Sequence, residues 1–286
     1  MPTIREKRVY DEATTPTPVF VAAEQGLVVA RISEDKVGEF GLERRCTAQD
    51  VAVGADGTLA LATDEATLVA PEADPEQFRE TGFGPATAVA VVEGQGRALV
   101  AADESGEISR LPITDDGPVD AESTDWESLG TVDDLRALRG RLVAAADGIY
   151  RVTDAGLDDA GLDDARDVAA RGAPLAATGA GLYELGNGWM VASKEPFETV
   201  STDGDRGHAV AADGTVLGRE KGGGEWSELA LPAGDPIADF AYTDDAVVAA
   251  TASGSLLADA GNGWRSRRVG VTGVQAAVAA PRPGEE

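Results

Sequence analysis

From residue 17 onward the chain is a succession of short runs in which small apolar residues alternate with polar ones, separated by turns rich in Gly, Asp and Asn. Alternation at period two, bounded by such turns, predicts antiparallel strands joined by hairpins. No segment holds a 3.6-residue apolar period long enough to compete as a helix. One run recurs as a seed: QDVAVGADG, ATAVAVVEG, VDDLRALRG, ARDVAARGA, FETVSTDGD, IADFAYTDD and VTGVQAAVA. Anchored on Val51, Val89, Leu135, Val168, Val200, Phe240 and Val274, the copies are spaced 38, 46, 33, 32, 40 and 34 residues apart.

Each seed is followed by a small-residue strand (GTLALATDE, GRALVAADE, GRLVAAADG and their counterparts). A third strand then follows a Gly or Asp turn, and a fourth, more polar one begins at Trp126, Trp189, Trp226 or Trp264. A four-strand unit of about 40 residues is the period of a propeller blade. The fold expected is therefore all-β: a seven-bladed β-propeller of four-stranded antiparallel blades. The two ends carry its closure. Residues 18–45 supply three strands with no seed before them, and the seventh seed, at 271–281, has no strands after it. Together they complete one blade and remove the free sheet edge that a ring would leave at its seam. Residues 1–16 are read as an N-terminal arm, 17–281 as the propeller and 282–286 as a tail. The tryptophans, one to a blade, are read as fillers between neighbouring blades.

Charge changes the picture of the surface. The chain carries 51 Asp and Glu against 24 Lys and Arg, a formal net charge of −27, and only Lys7, Lys36, Lys194 and Lys221 are lysines. Such an anionic excess keeps a protein hydrated where salt screens strongly, so a salt-adapted source is expected and most carboxylates are read as solvation. The same excess argues against nucleic acid and anionic membranes as partners, which require clustered cations. A single cysteine, Cys46, leaves no internal disulfide and fits a reducing compartment. The charged N-terminus lacks the apolar core of a signal peptide, and no apolar run approaches membrane-spanning length. A cytoplasmic protein, monomeric by itself, is the expectation.

The unit x-D-[VLF]-A … [LV]-A-A-T/D … G-[IL]-Y … G-W resembles the short blades of YVTN/WD40-like and BNR-like propellers. Over almost its whole length the chain resembles, more narrowly, a haloarchaeal β-propeller family. The resemblance implies the fold and the acidic style; it implies no activity. STDGDRGHA at 201–209 only begins like the S-x-D-x-G-x-T-W box, so the sugar-binding and sialidase roles of some relatives do not carry over.

Candidate chemistry is sparse. Nucleophilic triads need an imidazole, and His208 is the only one in the chain. With one His and one Cys, zinc and similar metals lack ligands. Four seeds carry Asp just before the anchor: Asp50, Asp134, Asp167 and Asp239. On the innermost strands these would form an acidic ring near one channel mouth, a weak candidate site for Ca²⁺ or Mg²⁺. The competing reading ties each Asp to nearby backbone N–H groups. The turns at 55–58, 203–207 and 212–215 resemble fragments of calcium loops but are better explained as tight turns. AGLDDAGLDDARD (155–167) is read as an acidic loop replacing one fourth strand.

Two features remain as partner-contact candidates. One is a long acidic projection at 113–127, with Asp115, Asp116, Asp120 and Glu122; the other is the cluster Arg265, Arg267 and Arg268. The leading functional expectation is a non-enzymatic scaffold or binding module that engages another protein, with no cofactor. The alternatives are a divalent-cation-dependent hydrolase or lactonase-like enzyme at the acidic channel mouth, and a small-ligand sensor.

Overall fold

The structure, a computed structural model, describes residues 15–94, 96–113, 126–222, 224–232 and 234–281. Its strands form seven four-stranded antiparallel sheets, and the described residues contain one helical turn, the 3₁₀ segment Pro75–Gln77. Blade 1 is composite, as the ends of the sequence require. Its inner strand is Ala276–Ala279, followed outward by Thr17–Ala23, Gly26–Ser33 and Lys36–Arg44. Phe20 pairs with Val278 and Val21 with Ala277. Beyond the ladder, Thr272 exchanges hydrogen bonds with Gln25 at 2.9 and 2.8 Å, fastening the seam from the side. Blades 2 to 7 follow in chain order, with inner strands Ala48–Val53, Ala88–Val92, Leu135–Arg139, Ala165–Ala169, Phe197–Thr202 and Ile237–Tyr242.

The core explains why the strands are apolar nearly throughout although they alternate. Seven apolar clusters lie between neighbouring blades, one to each interface. Successive side chains of one strand point to opposite faces of the sheet. Val19 and Val21 therefore pack toward blade 7, while Phe20 and Ala22 pack toward blade 2. Both faces of each blade are covered, so both residue sets must be apolar. The small side chains of Ala-rich middle strands such as Leu59–Thr63 and Val247–Thr251, buried throughout, suit the narrow inner part of the ring.

The tryptophans fill the outer part of the same interfaces. Nε1 of Trp126 in blade 3 donates to the Thr81 carbonyl of blade 2 at 2.9 Å. Nε1 of Trp189 in blade 5 donates to Ala160 of blade 4 at 2.8 Å. Trp226 packs against the cluster between blades 5 and 6, under the Arg219 guanidinium, and Trp264 against that between blades 6 and 7.

Two sequence readings are corrected. AGLDDAGLDDARD is not a loop: Gly156–Gly161 is the fourth strand of blade 4, and Ala165–Ala169 already begins blade 5. An outermost strand pairs through its backbone, and Asp158 and Asp159 face solvent, so acidity is no obstacle there. The second correction concerns two anchors. The register places Leu138, not Leu135, at the position of Val51, and Ala277, not Val274, in the composite blade. The acidic segment with Asp115, Asp116, Asp120 and Glu122 lies outside the described residues, as do residues 1–14 of the arm and the tail at 282–286.

Candidate functional site

An innermost strand is paired on one side only, so alternate N–H groups along it face the channel without a ladder partner. Three aspartates answer this. Asp50 accepts from the N–H of Val51 in its own blade (2.9 Å) and of Val89 in the next (3.0 Å). Asp167 accepts from Val168 and Val200, both at 2.9 Å. Asp239 accepts from Phe240 (2.7 Å) and Ala277 (3.0 Å), and from the Ser201 hydroxyl at 2.7 Å. Each carboxylate thus latches two adjacent blades. Three latches serve blades 2 and 3, 5 and 6, and 7 and 1.

Seven is odd, and blade 4 is left over. At the aspartate position it has Ala137, and two residues on it presents Arg139. The Arg139 guanidinium reaches across the channel to both oxygens of Asp50, at 3.0 and 3.1 Å, and lies 3.8 Å from Asp239. It also donates to the Leu138 carbonyl at 3.1 Å. Burial works against the charge of Arg139, but the attraction of Asp50, Asp239 and Asp167 outweighs it and holds the pKa above its ordinary value. Burial raises the Asp50 carboxyl, opposed by Arg139 and by its two amide donors. For Asp167, burial dominates and lifts the pKa to about 7, with Arg139 opposing and Asp239 adding.

Five inner strands carry a β-bulge at the same place, immediately before Asp50, Ala137, Asp167, Thr199 and Asp239. A bulge re-aims the side chain that follows it, here into the gap between two inner strands. Asp134, expected in the ring, lies three residues upstream of that position. It is solvent-facing, with φ of 51°, and pairs with Arg136 at 3.1 Å. The described residues contain no group of three or more His, Cys, Asp or Glu side chains arranged to hold a metal ion.

The other expected residues are placed as follows. Arg265 pairs with the buried Asp35 of blade 1 at 3.0 Å. Arg267 donates to the Val37 carbonyl at 2.9 Å and lies over the Phe40 ring. Arg268 is exposed on the same outer strand. His208 is buried, stacked on Phe240 with ring centroids 4.8 Å apart. The Tyr242 phenol donates to the Ser201 carbonyl at 2.8 Å, so its contact with His208 Nδ1 at 3.0 Å requires the proton on Nδ1. Burial lowers the His208 pKa to about 4. The turn aspartates bind their own turns: Asp56 accepts from Thr58 N–H, Asp213 from Thr215 N–H, and Asp203 from Asp205 and Arg206 N–H.

Toward the ends of the inner strands the channel holds a cavity of about 660 Å³ walled by residues from all seven blades. Its walls are Val and Ala with Phe240 and Tyr242, and its charged lining comprises Arg139, Arg141, Arg151 and Arg171 against Asp239 and Glu93. None of these four arginines is singled out by the sequence pattern. The available signal was LRALRGR at 135–141, an inner strand and its exit bearing three arginines where most counterparts bear mostly Ala and Val.

These features define a seven-bladed propeller with an acid-latched channel and a basic mouth. The profile of the HVO_0234-like β-propeller family matches residues 3–280, and the chain belongs to that family. No curated protein matches the sequence. Among solved structures, apo AztD from Citrobacter koseri is similar at 11% identity, covering 96% of this chain and 100% of its own, with a TM-score of 0.59. A chain of the nidogen/laminin complex is similar at 9% identity and TM-score 0.59, covering 92% and 98%. YCF48 from Cyanidioschyzon merolae is similar at 13% identity and TM-score 0.55, covering 79% and 86%. Likeness at these identities carries the fold alone.

Proposed function

We propose that the protein is a non-enzymatic binding module whose binding face is the channel mouth at the ends of the inner strands. One observation carries this reading: the cavity of about 660 Å³ there, concave, largely apolar and fringed by a few convergent polar groups. Its size falls within the range of about 300–1,000 Å³ typical of small-molecule sites. Aspartate latches beneath it brace three of the neighbouring pairs of inner strands. The test is a thermal-shift panel of neutral, cationic and anionic small molecules at high salt, on the native chain and on Ala52→Trp, which fills the cavity from its wall. At least one compound should raise the Tm of the native chain and fail on the filled variant. A panel with no stabilising compound, or one acting equally on both proteins, would overturn the reading.

A further inference from the structure

Resting on that reading of the mouth, we propose that the cavity takes a small organic oxyanion, held by Arg141, Arg151 and Arg171 with its apolar body against the Val and Ala wall. Blades 4 and 5 carry the argument, because their inner segments 135–141 and 165–171 occupy equivalent positions. At the entry to these strands both have arginine, and both are neutralised. Arg136 pairs with Asp134 and with Asp164 (2.6 Å), and Arg166 with Asp164 (3.5 Å) and Glu198. At the exit both have arginine again, Arg141 and Arg171, and neither pairs with a carboxylate among the described residues. The same holds for Arg151, exposed on Gly148–Thr153, the third strand of blade 4. In a chain of net charge −27, carboxylates to pair with them are abundant in composition. Three guanidinium groups left without them around one cavity form a local exception to the field of the whole molecule.

Arg141 is moreover held in place. Its Nε donates to the Glu93 carbonyl at 3.0 Å and one terminal nitrogen to the Val152 carbonyl at 3.3 Å. The other terminal nitrogen lies where a Cβ on residue 94 would sit, so a side chain at Gly94 would push this guanidinium aside. Neutral carbonyl partners orient a guanidinium without discharging it, and its remaining N–H donors suit the bidentate recognition of carboxylate or phosphate. Of the two carboxylates in the lining, Asp239 is occupied by three donors and the nearby Arg139. That leaves the mouth with an excess of cationic groups. Bulk salt screens long-range attraction, whereas a hydrogen-bonded anion inside a walled cavity is screened much less.

The test uses isothermal titration of the full chain with phenyl phosphate, phthalate and neutral benzyl alcohol, in high and low chloride. Phenyl phosphate or phthalate should bind, and their ratio tells whether a phosphate or a carboxylate group is the better fit. Arg171→Ala and Arg151→Ala, both at exposed positions, should each weaken that binding about tenfold, with unchanged Tm in the absence of probe. Gly94→Ala should act similarly by displacing the Arg141 guanidinium. Binding of benzyl alcohol as tight as that of the anions, unaffected by the arginine substitutions, overturns the oxyanion assignment but leaves the cavity as a binding face. Absence of binding by either anion also overturns the assignment. Loss of every probe's cavity dependence, tested with Ala52→Trp, overturns the binding face itself.

Discussion

The guanidinium of Arg139 in blade 4 meets the carboxylate of Asp50 in blade 2 across the channel, with one nitrogen 3.0 and 3.1 Å from the two oxygens. Asp50 joins blades 2 and 3 through backbone amides, so this contact ties the blade that lacks a latch to one of the latched pairs that flank it. It also places the positive charge of Arg139 among three buried carboxylates.

Removing that charge should therefore destabilise the ring more than the loss of one ion pair at the surface. Breaking a buried pair costs about 3–5 kcal/mol. Arg139 is about a third exposed toward the channel, which lowers the expectation for Arg139→Leu to about 2–3 kcal/mol. Chemical denaturation of the variant, of Asp50→Asn and of the double variant gives the coupling. A loss under about 0.5 kcal/mol would show that the carboxylates do not need Arg139.

Asp167 makes stability depend on pH in a direction opposite to that of an ordinary ion-paired carboxylate. Its folded pKa is raised from 3.8 to about 7, chiefly by burial. The folded chain thus binds a proton that the unfolded chain releases between these values. The stability contributed by this group is fully present below the unfolded pKa and is lost as pH rises through about 7. The difference in unfolding free energy between the native chain and Asp167→Asn should shrink between pH 5 and pH 8. A difference that grows over that window would refute the shift.

His208 should behave in the converse way. Its pKa is lowered from 6.5 to about 4 by burial, with Arg206 assisting. Its contribution is present above the unfolded pKa and is lost as pH falls toward 4. An NMR titration of the imidazole should show no protonation at pH 5.5 in the folded chain, with the Nδ1 proton bonded to Tyr242. His208→Gln should flatten the acid limb of the stability profile.

The tryptophans provide an internal comparison. Trp189 Nε1 has the Ala160 carbonyl as acceptor, whereas Trp226 Nε1 is buried without a hydrogen-bond partner. Replacing each by Phe removes similar volume but a different polar debt. Trp189→Phe should cost about 1 kcal/mol more than Trp226→Phe in urea unfolding. Equal losses would mean that packing alone sets the role of these residues.

The sequence by itself determined the architecture. Strand alternation, the recurring seed and the matching remnants at 18–45 and 271–281 required seven blades and a shared seam, and the sheets have that order. These are properties of local periodicity, and every copy of the unit repeats them. The site was legible only in part: Asp50, Asp167 and Asp239 stood out, but so did Asp134, which lies off the ring. The reason is that VDDLRALRG offers an Asp-Leu pair three residues before Ala137 and Leu138, which hold the equivalent places, and only the pairing of the inner strand with its neighbour tells the two apart. Which charges meet was likewise a matter of tertiary structure. Arg139 and Asp50 are 89 residues apart, and only closing the ring sets the arginine of blade 4, which has Ala137 in place of a latching aspartate, opposite the carboxylates of the others.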